Sequence, residues 1–175
     1  IAAWVELSEL ILDHTDIKTL APIVTGGRPS LRRLSLAGTP VDDEQLVLLS
    51  KLTGLELLDL SGCPVTDQGI AAQLPGLPNL QALALRGTSV SDVAVGKLAA
   101  CSTLRILWLS DTAVTSQGLS PLARLPQLAR LDLSGCDVDA ITLAAVGRFG
   151  KLARLDLRRT ALPPTEVARW RELHA

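Results

Sequence analysis

The chain of 175 residues contains no methionine and no tyrosine, a single phenylalanine and three tryptophans. The missing methionine, absent even at the first position, points to a chain trimmed from a longer product. There are only two histidines, His14 and His174. A Ser-His-Asp arrangement needs one of them as its base, and neither stands in a suitable setting. Three cysteines, Cys63, Cys101 and Cys136, are an odd number without C-x-x-C spacing, which removes the usual thiolate metal sites and favours free thiols in a reducing compartment. No apolar run approaches the roughly 18–20 residues of a membrane span. The opening "IAAWVELSEL" also lacks the basic region and small-residue cleavage site of a secretory leader. "TGGRPS" (25–30) lacks the lysine and spacing of a phosphate-binding loop, and reads as an irregular loop in place of the first repeat's helix.

Charge is low and unevenly spread. The formal net charge is -1, yet residues 1–80 hold ten acids and five bases, and residues 81–175 hold eight acids and twelve bases. The molecule is acidic at one end and basic at the other, and neither half is basic enough for a nucleic-acid surface.

What the chain has is a repeat. The pattern L-x-x-L-x-L-x-x-(T/C) occurs seven times, at LSELILDHT (7–15), LRRLSLAGT (31–39), LELLDLSGC (55–63), LQALALRGT (80–88), LRILWLSDT (104–112), LARLDLSGC (128–136) and LARLDLRRT (152–160). Successive starts lie 24 residues apart, with one interval of 25. In each copy the L-x-L triplet predicts a short strand that pairs with its equivalent in the next repeat at about 4.8 Å. Gly38, Gly62, Gly87 and Gly135 stand where a turn of positive φ is expected, with Asp111 in their place in the fifth copy and His14 and Arg159 in the terminal ones. The following Thr or Cys can satisfy backbone groups of that turn, the thiol weakly.

After each turn come an apolar residue and a capping residue, Val41-Asp42, Val65-Thr66, Val90-Ser91, Val114-Thr115 and Val138-Asp139, which predict short helices. Asp42 with Gln45 has the form of a capping box. The helices are expected to bury Leu46/Leu49/Leu52, Ile70/Leu74/Leu77, Val95/Leu98/Cys101, Leu119/Leu122/Leu125 and Leu143/Val146/Phe149. Trp4 falls in register with Leu52, and Trp170 with Val146, so both are expected to cover the ends of the core.

The segments "GTPVDDEQL", "GCPVTDQGI" and "DTAVTSQGL" resemble the Gly-Thr-x-Val-Thr-Asp-x-Gly-Leu units of bacterial and protist leucine-rich repeat proteins. The resemblance spans essentially the whole chain. It implies an α/β solenoid, a horseshoe with a parallel sheet on the concave face and short helices on the convex face. The expected organisation is one domain over residues 1–175, with residues 1–6 in an N-terminal cap or truncated repeat and 161–175 as a C-terminal capping helix. Some proteins of this kind are effectors that pair the array with an F-box. The resemblance therefore also allows a substrate-recognition arm of a larger enzyme such as a ubiquitin ligase, in an effector delivered into a host cell.

Function is expected on the outward residues of the strands. The column before the second leucine reads Glu9, Arg33, Leu57, Ala82, Ile106, Arg130, Arg154, and the column between the leucines reads Ile11, Ser35, Asp59, Ala84, Trp108, Asp132, Asp156. Leu57, Ala84, Ile106 and Trp108, with Arg86, Arg105 and Asp59 nearby, form an apolar patch that suits a protein partner. Trp108 is either the anchor of that contact or an indole lying flat over Ala84 and stacked near Arg86. Arg130, Asp132, Arg154, Asp156, Arg158 and Arg159 make a charge lattice that orients a partner, each Asp neutralised by the Arg two residues before it. Asp132 and Asp156 on adjacent strands could instead serve as the carboxylate pair of a glycoside hydrolase, which the flanking arginines disfavour. The expectation is a non-enzymatic, intracellular, monomeric protein-binding module without cofactor, metal, nucleic acid or membrane.

Overall fold

A computed structural model describes residues 6–25 and 30–173, the last four by their backbone alone. Each copy forms a three-residue strand centred on the first leucine of its L-x-L triplet, one residue earlier than the triplet itself: β1 Glu9–Ile11, β2 Arg33–Ser35, β3 Leu57–Asp59, β4 Ala82–Ala84, β5 Ile106–Trp108, β6 Arg130–Asp132 and β7 Arg154–Asp156. The seven strands form one parallel sheet in chain order, and every strand pairs in register with the next. The ladder continues past the strands into the turns, where Gly38 N donates to Ser61 O at 2.7 Å and Gly87 N to Ser110 O at 2.9 Å.

The turns end the strands because all seven place one residue in the left-handed region. The four glycines have φ between 62° and 72°, and His14, Asp111 and Arg159 each have φ 57°. Even the two residues that depart from the Gly/Asp pattern adopt the conformation, so stacking in register outweighs the local cost of a side chain there. Where the next residue is Thr, its hydroxyl donates to the carbonyl three residues back, always at 2.7 Å, as in Thr39 Oγ1 to Leu36 O. The cysteines behave differently. Cys63 Sγ donates to Leu36 O and Cys136 Sγ to Leu109 O, both at 3.0 Å and both in the preceding repeat.

The return path of each repeat is helical and short: α1 Ala21–Val24, α2 Asp43–Leu46, α3 Asp67–Gln73, α4 Asp92–Leu98, α5 Ala140–Val146 and α6 Pro164–Leu173. Stretches of 3₁₀ helix extend α2 (Val47–Lys51) and α3 (Leu74–Gly76), and the fifth repeat is 3₁₀ throughout Ser116–Arg124. Pro121 lies inside that last stretch, and its missing N–H and its ring oppose α-helical bonding. Asp42, Thr66, Ser91, Thr115 and Asp139 all accept a backbone N–H as N-caps. The capping box is only half formed. Asp42 accepts from Gln45 N, but the Gln45 side chain turns away to accept from Leu20 N in the preceding repeat at 3.1 Å. The first repeat also differs from expectation, since α1 supplies a helical turn before the "TGGRPS" stretch, whose residues 26–29 lie outside the described residues.

One buried cluster runs the length of the array. Leu34, Leu58, Leu83, Leu107 and Leu131 from the strands meet Leu46, Ile70, Val95, Leu119 and Leu143 from the helices. Leu10 in β1 and Leu155 in β7 are only partly buried, as terminal repeats with one neighbour must be. Val167 packs against the far end, and Phe149 is partly buried there. Trp4 and His174, and the side chains of Trp170 and Leu173, lie outside the described residues.

A second element of cohesion runs along the helix starts. Asp43 accepts from Thr66 N and Oγ1 at 2.9 and 2.6 Å, and Asp92 from Thr115 N and Oγ1 at 2.8 and 2.7 Å. Asp67 holds Ser91 in the same way. The helix-start acid of one repeat thus grips the N-cap of the next. Room for it comes from small residues: a Cβ on Gly69 would run into Asp43, and one on Gly118 into Asp92. Where the first helical residue is Ser116, the roles reverse, with Ser116 Oγ donating to the N-cap Asp139 and the facing position enlarged to Thr142, 2.8 Å away.

Candidate functional site

The strand register sets two columns side by side on the concave face, Leu57–Ala82–Ile106–Arg130–Arg154 and Asp59–Ala84–Trp108–Asp132–Asp156. Leu57, Ile106 and Trp108 are half-buried, while Arg105, Arg130 and Arg154 are exposed. Ala82 and Ala84 are not contact surface. They are 6% and 1% exposed. A methyl side chain flanked on adjacent strands by Leu57 and Ile106, or by Asp59 and Trp108, is overtopped by its neighbours. Ala84, expected at the partner contact, is therefore the floor of the patch.

Trp108 is already partly covered from within the chain. The guanidinium of Arg86 sits 4.7 Å from the centre of its ring. Arg86 follows β4 and reaches over the indole on β5 toward Asp132 on β6, with Arg86 Nε 3.8 Å from Asp132 Oδ2. This is the stacking near Arg86 that was set against the anchor. Trp108 remains half-buried and lines a cavity of the concave face.

The charge lattice pairs differently from expectation. Asp132 accepts from Ser134 N and Oγ at 3.0 and 2.7 Å and pairs with Arg86, not with Arg130. Asp156 is gripped by Arg158, with Nε at 2.9 Å from Oδ1 and a terminal nitrogen at 2.6 Å from Oδ2. That grip holds the Asp156 carboxyl below its ordinary range, with a smaller contribution from the charge of Arg154. Arg130 and Arg154 rise from the same face as the acids two residues on, yet neither comes within 4.0 Å of them, and the ion pairs go to Arg86 and Arg158 instead. Asp59 accepts from Ser61 N at 2.8 Å. Each acid of the column is therefore held by hydrogen bonds inside the chain, which is unlike an acid and nucleophile poised for glycoside hydrolysis.

Beside Trp108 the face hollows into a cavity of about 270 Å³, lined by Arg86, Trp108, Arg130, Leu131, Asp132, Arg154, Asp156 and Arg158. A larger depression of about 770 Å³ lies at the end of the array between β7 and α6, away from the concave columns' centre. Among the described residues no group of His, Cys, Asp and Glu is arranged to hold a metal ion, and no helix is long and apolar enough to cross a membrane. The cysteines are not site residues: all three are buried, and burial pushes the Cys101 thiol up to about 11 and those of Cys63 and Cys136 upward as well.

The stacking of Arg86 near Trp108 was among the expectations; what the repeat pattern did not disclose is the pairing of Arg86 with Asp132 and the Arg158 clasp on Asp156. The signal that could have found them was the position of two arginines just after their strands, Arg86 two strands from Asp132 and Arg158 two residues beyond Asp156 on its own strand.

The family description "Leucine Rich repeat" matches residues 52–72 and 100–123. Among solved structures, internalin C2 from Listeria monocytogenes superposes with a TM-score of 0.74 at 24% identity, over 94% of this chain and 67% of that one. At that identity the likeness concerns the fold. No curated protein matches the chain significantly in sequence. Seven in-register strands, a repeated left-handed turn and these two matches agree, and the chain has the leucine-rich repeat solenoid fold, with two of its segments matching the repeat itself.

Proposed function

We propose that this chain is a protein-interaction module that holds a segment of another protein against its concave sheet. The observation that carries this is the hollow lined by Trp108 and the exposed Arg130 and Arg154, with the half-exposed Ile106 next to Arg130 in the strand register. A preformed sheet loses little conformational freedom on binding, so its contacts translate into affinity. Within this reading Trp108, Ile106 and Leu57 supply apolar contact and Arg86, Arg105, Arg130 and Arg154 orient the partner, with Asp59, Asp132 and Asp156 holding those cations or their own turns in place. The seven repeats act as one non-catalytic, monomeric unit, closed at its far end by α6. Three buried free thiols fit a reducing, cytoplasmic setting.

The test is capture of partners from a lysate by the wild type, by Trp108→Ala and by Val93→Asp, the last on the convex side where Val93 is 61% exposed. The expected result is loss of the same captured protein with Trp108→Ala and its retention with Val93→Asp. Loss with Val93→Asp alone would move the binding face to the helices and refute the concave reading.

A further inference from the structure

The basic end of the concave face has two cations without a counter-ion. Arg130 and Arg154 are register partners on β6 and β7, so their backbones lie about 4.8 Å apart. Like charges directly opposite one another destabilise a sheet. Their natural neutralisers are occupied, since Asp132 serves Arg86 and Ser134, and Asp156 serves Arg158. Among the described residues neither Arg130 nor Arg154 forms an ion pair within 4.0 Å or a side-chain hydrogen bond. The cavity they line holds four arginines and two aspartates, a formal excess of two positive charges.

Two further features narrow the ligand. The cavity, about 270 Å³, lies just under the roughly 300–1,000 Å³ typical of small-molecule sites, so it suits one or two side chains of a segment crossing the open face. The row that carries the two arginines continues into Ile106, the register partner of Arg130, and then to Ala82 and Leu57. Apolar surface and uncompensated charge therefore lie in one straight line across the strands. From Ala82, between Leu57 and Ile106, to Arg154 is three strand spacings, about 14 Å, close to the span of same-face residues i, i+2 and i+4 of an extended peptide rising about 3.3 Å per residue.

We infer that Arg130 and Arg154 form a carboxylate-binding site for an extended acidic protein segment in which an apolar residue and two acids stand at alternate positions, i, i+2 and i+4. The apolar side chain rests on Ile106 and Leu57, and the two carboxylates take the guanidiniums in paired, charge-assisted bonds. Binding removes the repulsion between the two arginines as well as adding new bonds. The inference rests on the concave-face reading and specifies the partner's chemistry.

The experiment is an NMR titration of the isotope-labelled chain with the end-blocked peptide Ala-Leu-Ala-Glu-Ala-Glu-Ala and with its Gln-Gln counterpart, in which both acids are replaced, following the Arg130 and Arg154 Nε–H signals and the Trp108 indole N–H. Saturable shifts confined to these signals are expected with the acidic peptide, weakened at least tenfold for the Gln-Gln peptide and for the double variant Arg130→Ala/Arg154→Ala. The double variant should melt no lower than the wild type, because it relieves repulsion. The inference is overturned by equal binding of the Gln-Gln peptide, by equal shifts at Arg32, Arg148 and Lys151, by a lowered melting temperature of the double variant, or by stronger shifts with inorganic phosphate or a short oligonucleotide. In the capture experiment, a partner lost with Trp108→Ala but retained by the double variant would sink this inference and leave the concave reading standing. A partner retained by both would sink the concave reading itself.

Discussion

Arg159 reaches back across two repeats to clasp Asp111, its two terminal nitrogens each 2.9 Å from a different carboxylate oxygen. The repeat between them contributes Gly135 at the equivalent turn, and a Cβ there would strike Asp111 and lie 3.5 Å from the Arg159 guanidinium carbon. The bridge exists because the middle turn has no side chain.

This separates two reasons for glycine. Gly87 has φ +62° and open space for 4 Å around the place a Cβ would take, whereas Gly135 has φ +72° with the clasp overhead. Gly87→Ala should cost about 1–2 kcal/mol, the left-handed penalty alone. Gly135→Ala should cost more, because its Cβ would also displace the Asp111–Arg159 clasp. Denaturant unfolding of the two variants measures the difference, and equal values would show that the clasp contributes no stability.

Removing a helix-start acid should weaken the seam between repeats. Asp92→Ala leaves Thr115 N and Oγ1 without their acceptor and opens space against Gly118, for an expected loss of about 1–3 kcal/mol. Asp137→Ala, at an exposed acid, should stay within about 0.5 kcal/mol of wild type. Chemical denaturation of both, read by circular dichroism, is the check.

Leu107 and Trp108 are neighbours on opposite faces of β5, and their truncations should rank accordingly. Leu107 is fully buried, and Leu107→Ala should cost about 2–5 kcal/mol. From sequence, Trp108→Ala would be expected to leave stability nearly unchanged. With Arg86 stacked on the ring, a loss of about 1 kcal/mol is expected instead. A larger loss for Trp108→Ala than for Leu107→Ala would reverse the assignment of faces.

The thiols should be inert in the folded chain. Cys101, with its pKa pushed to about 11, and the buried Cys63 and Cys136 expose almost no thiolate near pH 8. A colorimetric thiol reagent should react slowly with the native protein and promptly with three thiols in denaturant. Fast native reaction of any one would place it at the surface.

Asp156 should respond to its clasp. Arg158 lowers its pKa in the folded state, so the associated stability is present above the unfolded value of about 3.9 and is lost as pH falls through the folded value. In Arg158→Ala the Asp156 carboxyl should titrate at higher pH, toward that unfolded value, as followed by its side-chain carbon shift. An unchanged titration would mean the clasp does not persist in solution.

The outline of the molecule was legible because a 24-residue period leaves little freedom. Leucines at fixed offsets assign every strand, its register and its two faces, and glycines mark the turns. His14 and Arg159, which break the turn pattern, still take its backbone conformation. Ala84 shows where such legibility ends: its column was right, but its exposure depends on the size of the residues on the next strands.

The order of residues alone determined the solenoid, since seven equivalent segments can bury their leucines only by stacking in parallel. Only the tertiary structure decided which charges meet. Arg86 bypasses its own repeat for Asp132, Arg159 spans to Asp111, and Arg130 and Arg154 are left facing each other. Those choices depend on side-chain reach over adjacent strands a few ångströms apart, a distance that a pattern along one chain does not encode.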